Sequence, residues 1–418
     1  MITPNSFIMT YKYKSPLAPK KINKIKAIAG VDLYTFSAGL YNKHRSDIAL
    51  FIFNKPGSIA EVFTKSSIKS HTLHWNKKNL KSRTVKAIFI NAGNANTFTG
   101  YQGVKSITEL AKKISSQYDI PINKFFVCST GVIGEPYPIK KILSAISQKK
   151  LPNKDWLNSA KAIMTTDTFP KGVTRSFKFN GINSYITGIT KGSGMIEPNM
   201  ATMLGFVFIE INIPKTLLQK MLIQVTEDSF NKITVDGDES TNDTVILAST
   251  NRLIPNKAIK TLNDPQIRNL KKELKYVFQY LANLIVRDGE GASKLISINI
   301  KNAKSEVQAK KIAKSIANSQ LFKTAIYGKD ANWGRIVMAI SKTYEAIDEN
   351  KLKITFGNYQ VTHRGAENKM LNKSKIKNYL KKKEIKIVVD LGLGNKTYDI
   401  LTCDLSHKYI DINASYKS

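Results

Sequence analysis

Apolar residues recur along this chain in two spacings, and the spacing switches often enough to predict a mixed α/β (α+β) fold of alternating strands and helices. Short apolar or alternating runs at 48–53, 85–91, 125–128, 206–213, 244–248, 295–301, 353–356 and 385–389 read as strands. Apolar positions three and four apart mark helices at 106–118, at 215–230, where Pro214 introduces the first turn, and at 265–287. The lysine-, asparagine- and serine-rich stretch 367–383 breaks the pattern and is the nearest thing to a spacer. Gly392-Leu393-Gly394, after the run 385–389, reads as a hairpin turn: Thr397 stands where a dinucleotide fingerprint needs its third glycine.

Composition narrows the classes. A chain of 418 residues with 42% hydrophobic content can bury the core of one large or two smaller domains. No stretch approaches the roughly 18 to 20 apolar residues of a membrane span, and residues 1–14 lack the apolar core of a signal peptide, so a cytoplasmic location is expected. Cys128 and Cys403, without paired spacing, read as packed thiols. His71 and His74 could share a helical face but lack a third ligand. Asp236, Asp238 and Ser240 begin like a calcium loop, yet Thr241 takes the glycine position and Leu247 the last ligand position; no metal is expected. The net charge of +34 raises a nucleic-acid-binding protein as a rival class. Against it, the excess is scattered lysine without interleaved arginine and aromatic residues, so no nucleic-acid partner is expected.

The chemistry concentrates in residues 191–204, where Gly192, Gly194, Pro198 and Asn199 form turns ahead of an apolar run at 203–209. Thr202 therefore sits where a loop enters a core. A threonine hydroxyl needs a base beside it, and a threonine at a chain N-terminus supplies its own, because an α-amine titrating near ~8 can accept the hydroxyl proton. That arrangement requires cleavage of the Ala201–Thr202 bond.

Ordered motifs accompany this segment: Gly93-Asn94-Ala95-Asn96 with Gly100, Ser129-Thr130-Gly131-Val132-Ile133-Gly134, Thr165-Thr166-Asp167-Thr168 with Lys171, Asp236-Gly237-Asp238 with Ser240-Thr241-Asn242-Asp243-Thr244, Asp288-Gly289-Glu290-Gly291-Ala292, Asp330-Ala331-Asn332-Trp333-Gly334-Arg335, and Thr402-Cys403-Asp404-Leu405 leading to Asn413 and Ser418. Together they resemble the ornithine acetyltransferases of arginine biosynthesis, autoprocessed enzymes with a threonine nucleophile. Ala92, Thr97, Phe98, Glu239 and Ala331 depart from the family pattern, and the first thirty or so residues match least well.

The resemblance implies a layered sandwich of sheets and helices, with an alpha chain of residues 1–201 and a beta chain of 202–418 that stay intertwined as a heterotetramer of two alpha and two beta chains. It implies ping-pong transfer of acetyl from N2-acetylornithine to glutamate, releasing ornithine and N-acetylglutamate. Thr202 is the implied nucleophile, and Thr130 and Gly131 the oxyanion hole. Lys191, Glu290, Asn413, Ser418 and one of Thr165 and Thr166, with Thr202, form the implied substrate set. No cofactor is implied, and whether acetyl-CoA serves as a second donor stays open. A related threonine-nucleophile amidase or aminopeptidase is the alternative enzyme reading.

Overall fold

The computed structural model describes residues 14–40, 45–148, 150–197 and 203–414. Eight strands share the first sheet: β1 (Val31–Phe36), β2 (Ile48–Phe63), β3 (Thr84–Asn94), β4 (Phe125–Val132), β5 (Lys171–Phe179), β6 (Ile182–Lys191), β7 (Leu204–Ile211) and β8 (Thr244–Leu253). Their order is β4-β3-β2-β8-β7-β6-β5, with β1 beside β2. The β3–β4 and β7–β8 pairs are parallel. Strand β2 changes partner along its length, pairing with β1 through Phe53 and with β8 from Ser58. Gly57 stands at the switch, where a Cβ would lie 2.3 Å from the Ser249 carbonyl oxygen.

The continuous apolar run of β7 reflects burial on both faces. Phe206 and Phe208 turn to one side, toward Phe51 of β2 and Trp156, with the Trp156 and Phe208 ring centres 4.9 Å apart. Val207, Ile209 and Ile211 turn to the other. Helices α1 (His71–Asn79), α2 (Gly100–Tyr118), α3 (Ile139–Ser147), α4 (Trp156–Ala162), α5 (Lys215–Glu227) and α6 (Arg268–Arg287) accompany this sheet. The face that carries Phe51 and Phe208 holds α4; the opposite face is covered by α2 and α3 over β1–β4, and by α5 and α6 over β5–β8. The result is the layered α/β arrangement expected.

A second sheet follows, built from β9 (Leu295–Ala303), β10 (Lys353–Phe356), β11 (Tyr359–Gln360), β14 (Glu384–Asp390) and β15 (Lys396–Cys403) in the order β11-β10-β14-β9-β15. The short strands β12 (Thr362–His363) and β13 (Ala366–Glu367) pair separately. Helices α7 (Glu306–Ala317), α8 (Gln320–Tyr327), α9 (Trp333–Ser341) and α10 (Lys373–Tyr379) accompany this sheet and supply buried side chains to its apolar core, and α11 (His407–Ala414) leads back to the first sheet.

Two expectations are corrected. The segment from Gly392 to Gly394 is not a hairpin, because β14 and β15 do not pair; they flank β9 on opposite sides, parallel and antiparallel respectively. The connection crosses the end of β9, with the Leu393 and Gly394 amides donating to the Asn302 carbonyl at 2.8 Å, and a Cβ at Gly394 would meet the Ala303 oxygen at 2.5 Å. The stretch 367–383 is no spacer either: it contains α10, whose Ile376, with the following Leu380, is buried in the second core.

Trp156 is fully buried, so Trp156→Ala is expected to lower unfolding free energy by about 3–5 kcal/mol, read as a lower urea midpoint at unchanged slope.

Candidate active site

The ends of β4 and β6, the starts of β7 and β8, the loop 165–168, the turn after α6 and α11 converge on one cavity. At the end of β4, Gly131 has φ +131°, and a Cβ there would lie 2.3 Å from the Gly93 carbonyl carbon, so only glycine allows β3 and β4 to approach this closely. Asn242, just before β8, fixes this crossing from behind. Its Nδ2 donates to the Ala95 and Ser129 carbonyls at 2.6 and 2.8 Å, and the Ser129 hydroxyl donates to the same Ala95 carbonyl at 2.7 Å.

Lys191, the last residue of β6, donates from Nζ to Thr130 Oγ1 at 3.2 Å. Because that hydroxyl oxygen is accepting, its own hydrogen is free to point elsewhere in the cavity. Burial pushes the Lys191 ammonium below the ordinary lysine range, opposed by Asp167, Asp243 and Glu290. Glu290 accepts from Asn413 Nδ2 at 2.8 Å and from the Thr166 hydroxyl, while burial raises its carboxyl above the usual range. Gly194 lies against it: a Cβ there would stand 2.4 Å from the Glu290 carboxyl carbon. The cavity thus presents an ammonium, a carboxylate and a polarised hydroxyl together.

Behind these groups lies a buried ion cluster. Lys171 Nζ sits 2.5 Å from both Asp167 and Asp288, all of it out of solvent. Asp167 also accepts from the Thr165 and Gly192 amides at 2.9 and 2.8 Å. Asp288 accepts from the Thr168 amide at 2.9 Å and from its hydroxyl, while its own carbonyl accepts from the Ser193 hydroxyl at 2.5 Å. The cluster ties the loop 165–168, the turn after β6 and the turn carrying Glu290 into one unit. The ammonium holds Asp167 well below the usual carboxylate range, whereas burial pushes Asp288 up to about 6.

Of the residues expected from the sequence, Thr130, Gly131, Thr165, Thr166, Lys191, Glu290 and Asn413 all line this cavity. Thr166 meets Glu290 through its hydroxyl, and Thr165 joins Asp167 through its amide. Ala201, Thr202 and Ser418 lie outside the described residues. The chain on either side of residues 198–202 is firmly held. Glu197 accepts from Lys314 Nζ and the Thr234 hydroxyl, both at 2.9 Å, and Met203 accepts from the Thr244 amide at 2.9 Å. Sequence reading assigned no role to Asp167, Lys171, Asp288 or Asn242, although each stands inside a quoted motif. Asp236, which begins the calcium-loop-like stretch, accepts from the Met195 and Ile196 amides at 2.7 and 2.8 Å, just ahead of that segment. Among the described residues no helix is long and apolar enough to cross a membrane.

A layered α/β fold with a charged, largely buried cavity at its strand ends is the build of an enzyme acting on a small polar molecule. More particularly, the chain belongs to the ArgJ family, whose model matches residues 32–418. It is 42% identical over 409 residues to the arginine biosynthesis bifunctional protein ArgJ of Bradyrhizobium diazoefficiens, covering 97% of this chain and 99% of that protein. It is 41% identical over 409 residues to the protein of the same name from Agrobacterium fabrum, with the same coverage of 97% and 99%. Among solved structures, that of the arginine biosynthesis bifunctional protein argJ of Bacillus halodurans is similar at 38% identity and a TM-score of 0.47, covering 51% of this chain and 100% of that one.

Replacing Lys171 by Met would leave two buried carboxylates facing each other without their cation. A loss of about 3–5 kcal/mol is expected in chemical denaturation, larger than for replacement of any solvent-exposed lysine.

Proposed function

We propose that this chain is an acetyltransferase that carries an acetyl group from N2-acetylornithine to glutamate through an acetyl-threonine at residue 202. The observation that carries the reading is the pairing of Lys191 with the Thr130 hydroxyl in the cavity that also holds Glu290. An amino-acid substrate needs a cation for its carboxylate, an anion for its ammonium, and donors for the oxygen that becomes negative during acyl transfer. Membership of the ArgJ family supports the same chemistry.

In this mechanism the chain first cuts itself. The Thr202 hydroxyl attacks the Ala201 carbonyl, the peptide becomes an ester, and water resolves it to free a carboxylate at 201 and an α-amine at 202. The amine then takes the hydroxyl proton as the oxygen attacks the acetyl carbonyl of N2-acetylornithine. The Thr130 hydroxyl and Gly131 amide stabilise the oxyanion; as it collapses the carbon–nitrogen bond breaks, and the proton passes to the departing ornithine. Lys191 takes the substrate carboxylate, while Glu290, held by Thr166 and Asn413, takes its ammonium; Thr165 and Ser418 complete the pocket. Glutamate enters the same site, its neutral amine attacks the ester, and N-acetylglutamate leaves with the threonine hydroxyl restored. No cofactor takes part, and acetyl-CoA is a candidate second donor to the same hydroxyl. Fragments 1–201 and 202–418 remain together, two of each in the assembly, in the cytoplasm.

Intact mass of the wild type beside Thr202→Ala tests the nucleophile: fragments ending at Ala201 and starting at Thr202 should appear in the wild type only. Acetyl transfer from N2-acetylornithine should then require glutamate; acetate released without it would indicate a hydrolase instead.

Two further outcomes follow from the geometry. Gly194→Ala would displace the Glu290 carboxylate, so KM for N2-acetylornithine should rise roughly tenfold, about one charge-assisted hydrogen bond, with little change in melting temperature. Because burial lowers the pKa of Lys191, its ammonium is lost at lower pH than that of a solvated lysine. KM should therefore climb as pH rises through that lowered value, and Lys191→Arg, which keeps its charge, should flatten the climb.

A further inference from the structure

One carboxyl in the cavity wall has no part in the mechanism above. Asp243 is 3% exposed and lines the same cavity as Thr130, Lys191 and Glu290. Ser240 donates to it from both backbone and side chain, yet among the described residues its buried Oδ2 has no hydrogen-bond partner. Leaving a buried acceptor without a donor leaves its desolvation cost unrecovered. At a cavity wall, a ligand or a reacting group can supply the missing donor.

Its position narrows what that donor is. Thr244 pairs with Leu204 in the parallel β7–β8 ladder, and the Thr244 amide donates to the Met203 carbonyl, so Asp243 stands level with Met203, one residue from the nucleophile. The Asp243 carbonyl accepts from the Thr64 amide at 3.0 Å, and the adjacent Asn242 is bonded to Ser129, so the carboxyl is held between the oxyanion strand and the nucleophile strand. The charged groups acting on it are Lys191 at the end of β6 and Glu239 in its own loop, with Asp167, Lys171 and Glu290 acting on Lys191 in turn. Burial holds its carboxyl well above the usual range, and the Lys191 ammonium offsets that only in part.

We propose that Asp243 Oδ2 takes up a primary ammonium group in the cavity: the α-ammonium formed at residue 202 when the threonine hydroxyl gives up its proton, or the side-chain ammonium carried by the substrate, shared with Glu290. Either cation converts a neutral buried acid into a carboxylate inside an ion pair. The inference rests on the acyl-transfer reading and adds a second acidic position to it.

Asp243→Asn keeps the shape and removes the charge, and it is read in the full, processed protein with two donors: N2-acetylornithine and N2-acetylnorvaline, which lacks the side-chain amine. If the cation is at residue 202, loss of the carboxylate lowers the pKa of that amine. The acid limb of kcat/KM then moves to lower pH by about one unit, alike for both donors. If the cation is the substrate's, KM rises roughly tenfold for N2-acetylornithine and stays unchanged for N2-acetylnorvaline. An Asn variant whose rate is unchanged, or lowered by one factor at every pH and for both donors, overturns the proposal. Melting temperature confirms that the variant is folded, and Asp243→Ser is read in its place if the Asn protein is insoluble. A wild type that is neither cut nor active would sink the acyl-transfer reading itself; a cut, active wild type with a pH- and donor-independent variant would sink only this inference.

Discussion

The geometry of the cavity depends on one buried cation. Lys171, out of solvent, is gripped by Asp167 from its own side of residue 202 and by Asp288 from the other. Burying an ammonium with two carboxylates is favourable only when the remaining lone pairs are also satisfied. The Thr165, Thr168 and Gly192 amides do this, and in doing so they are themselves placed. Thr165 and Thr166, the glycine turn after β6 and the Glu290 turn inherit their positions from that arrangement. The extra negative charge of the cluster reaches further: Asp167 also acts on Lys191, opposing the burial that would neutralise it.

The same sign of charge separates the inside of this protein from its outside. The chain carries a formal +34, yet the groups around the cavity are weighted toward acid, with Asp167, Asp243, Asp288 and Glu290 facing Lys171 and Lys191. The lysine excess therefore belongs to the surface, where hydration and salt screen it. An acidic interior beneath a basic exterior draws amines inward while the surface attracts anions.

Much of this could be read from the chain. The apolar runs that became β7 and β8 are buried on both faces, so their pattern is strong and their assignment direct. Strands β5 and β6 escaped because threonine, serine, lysine and glycine interrupt them; Gly188 is there for α6, since a Cβ would lie 2.8 Å from Leu281, and no local pattern reports a helix packed so close. The Gly392 to Gly394 turn was misread for a related reason: two strands short in sequence distance were assumed to be neighbours, while β9, about ninety residues earlier in the chain, lies between them. The site was legible as motifs but not as wiring. Lys171 looks like any other lysine until Asp288, 117 residues away, is brought to it.

The pairing of β6 with β7 has a consequence for the order of events in the life of the chain. Those strands lie on either side of residues 198–202 and hydrogen-bond from Thr187 with Phe208 to Lys191 with Leu204. While the backbone is whole, bringing them together is the closure of a short loop, entropically cheap. Under the proposed cut at 201, the same ladder would join two molecules, and regaining it from the unfolded state would become a concentration-dependent encounter. On that reading assembly is cheapest before the cut, and a processed enzyme that unfolds in dilute solution would lack the covalent shortcut by which it was made.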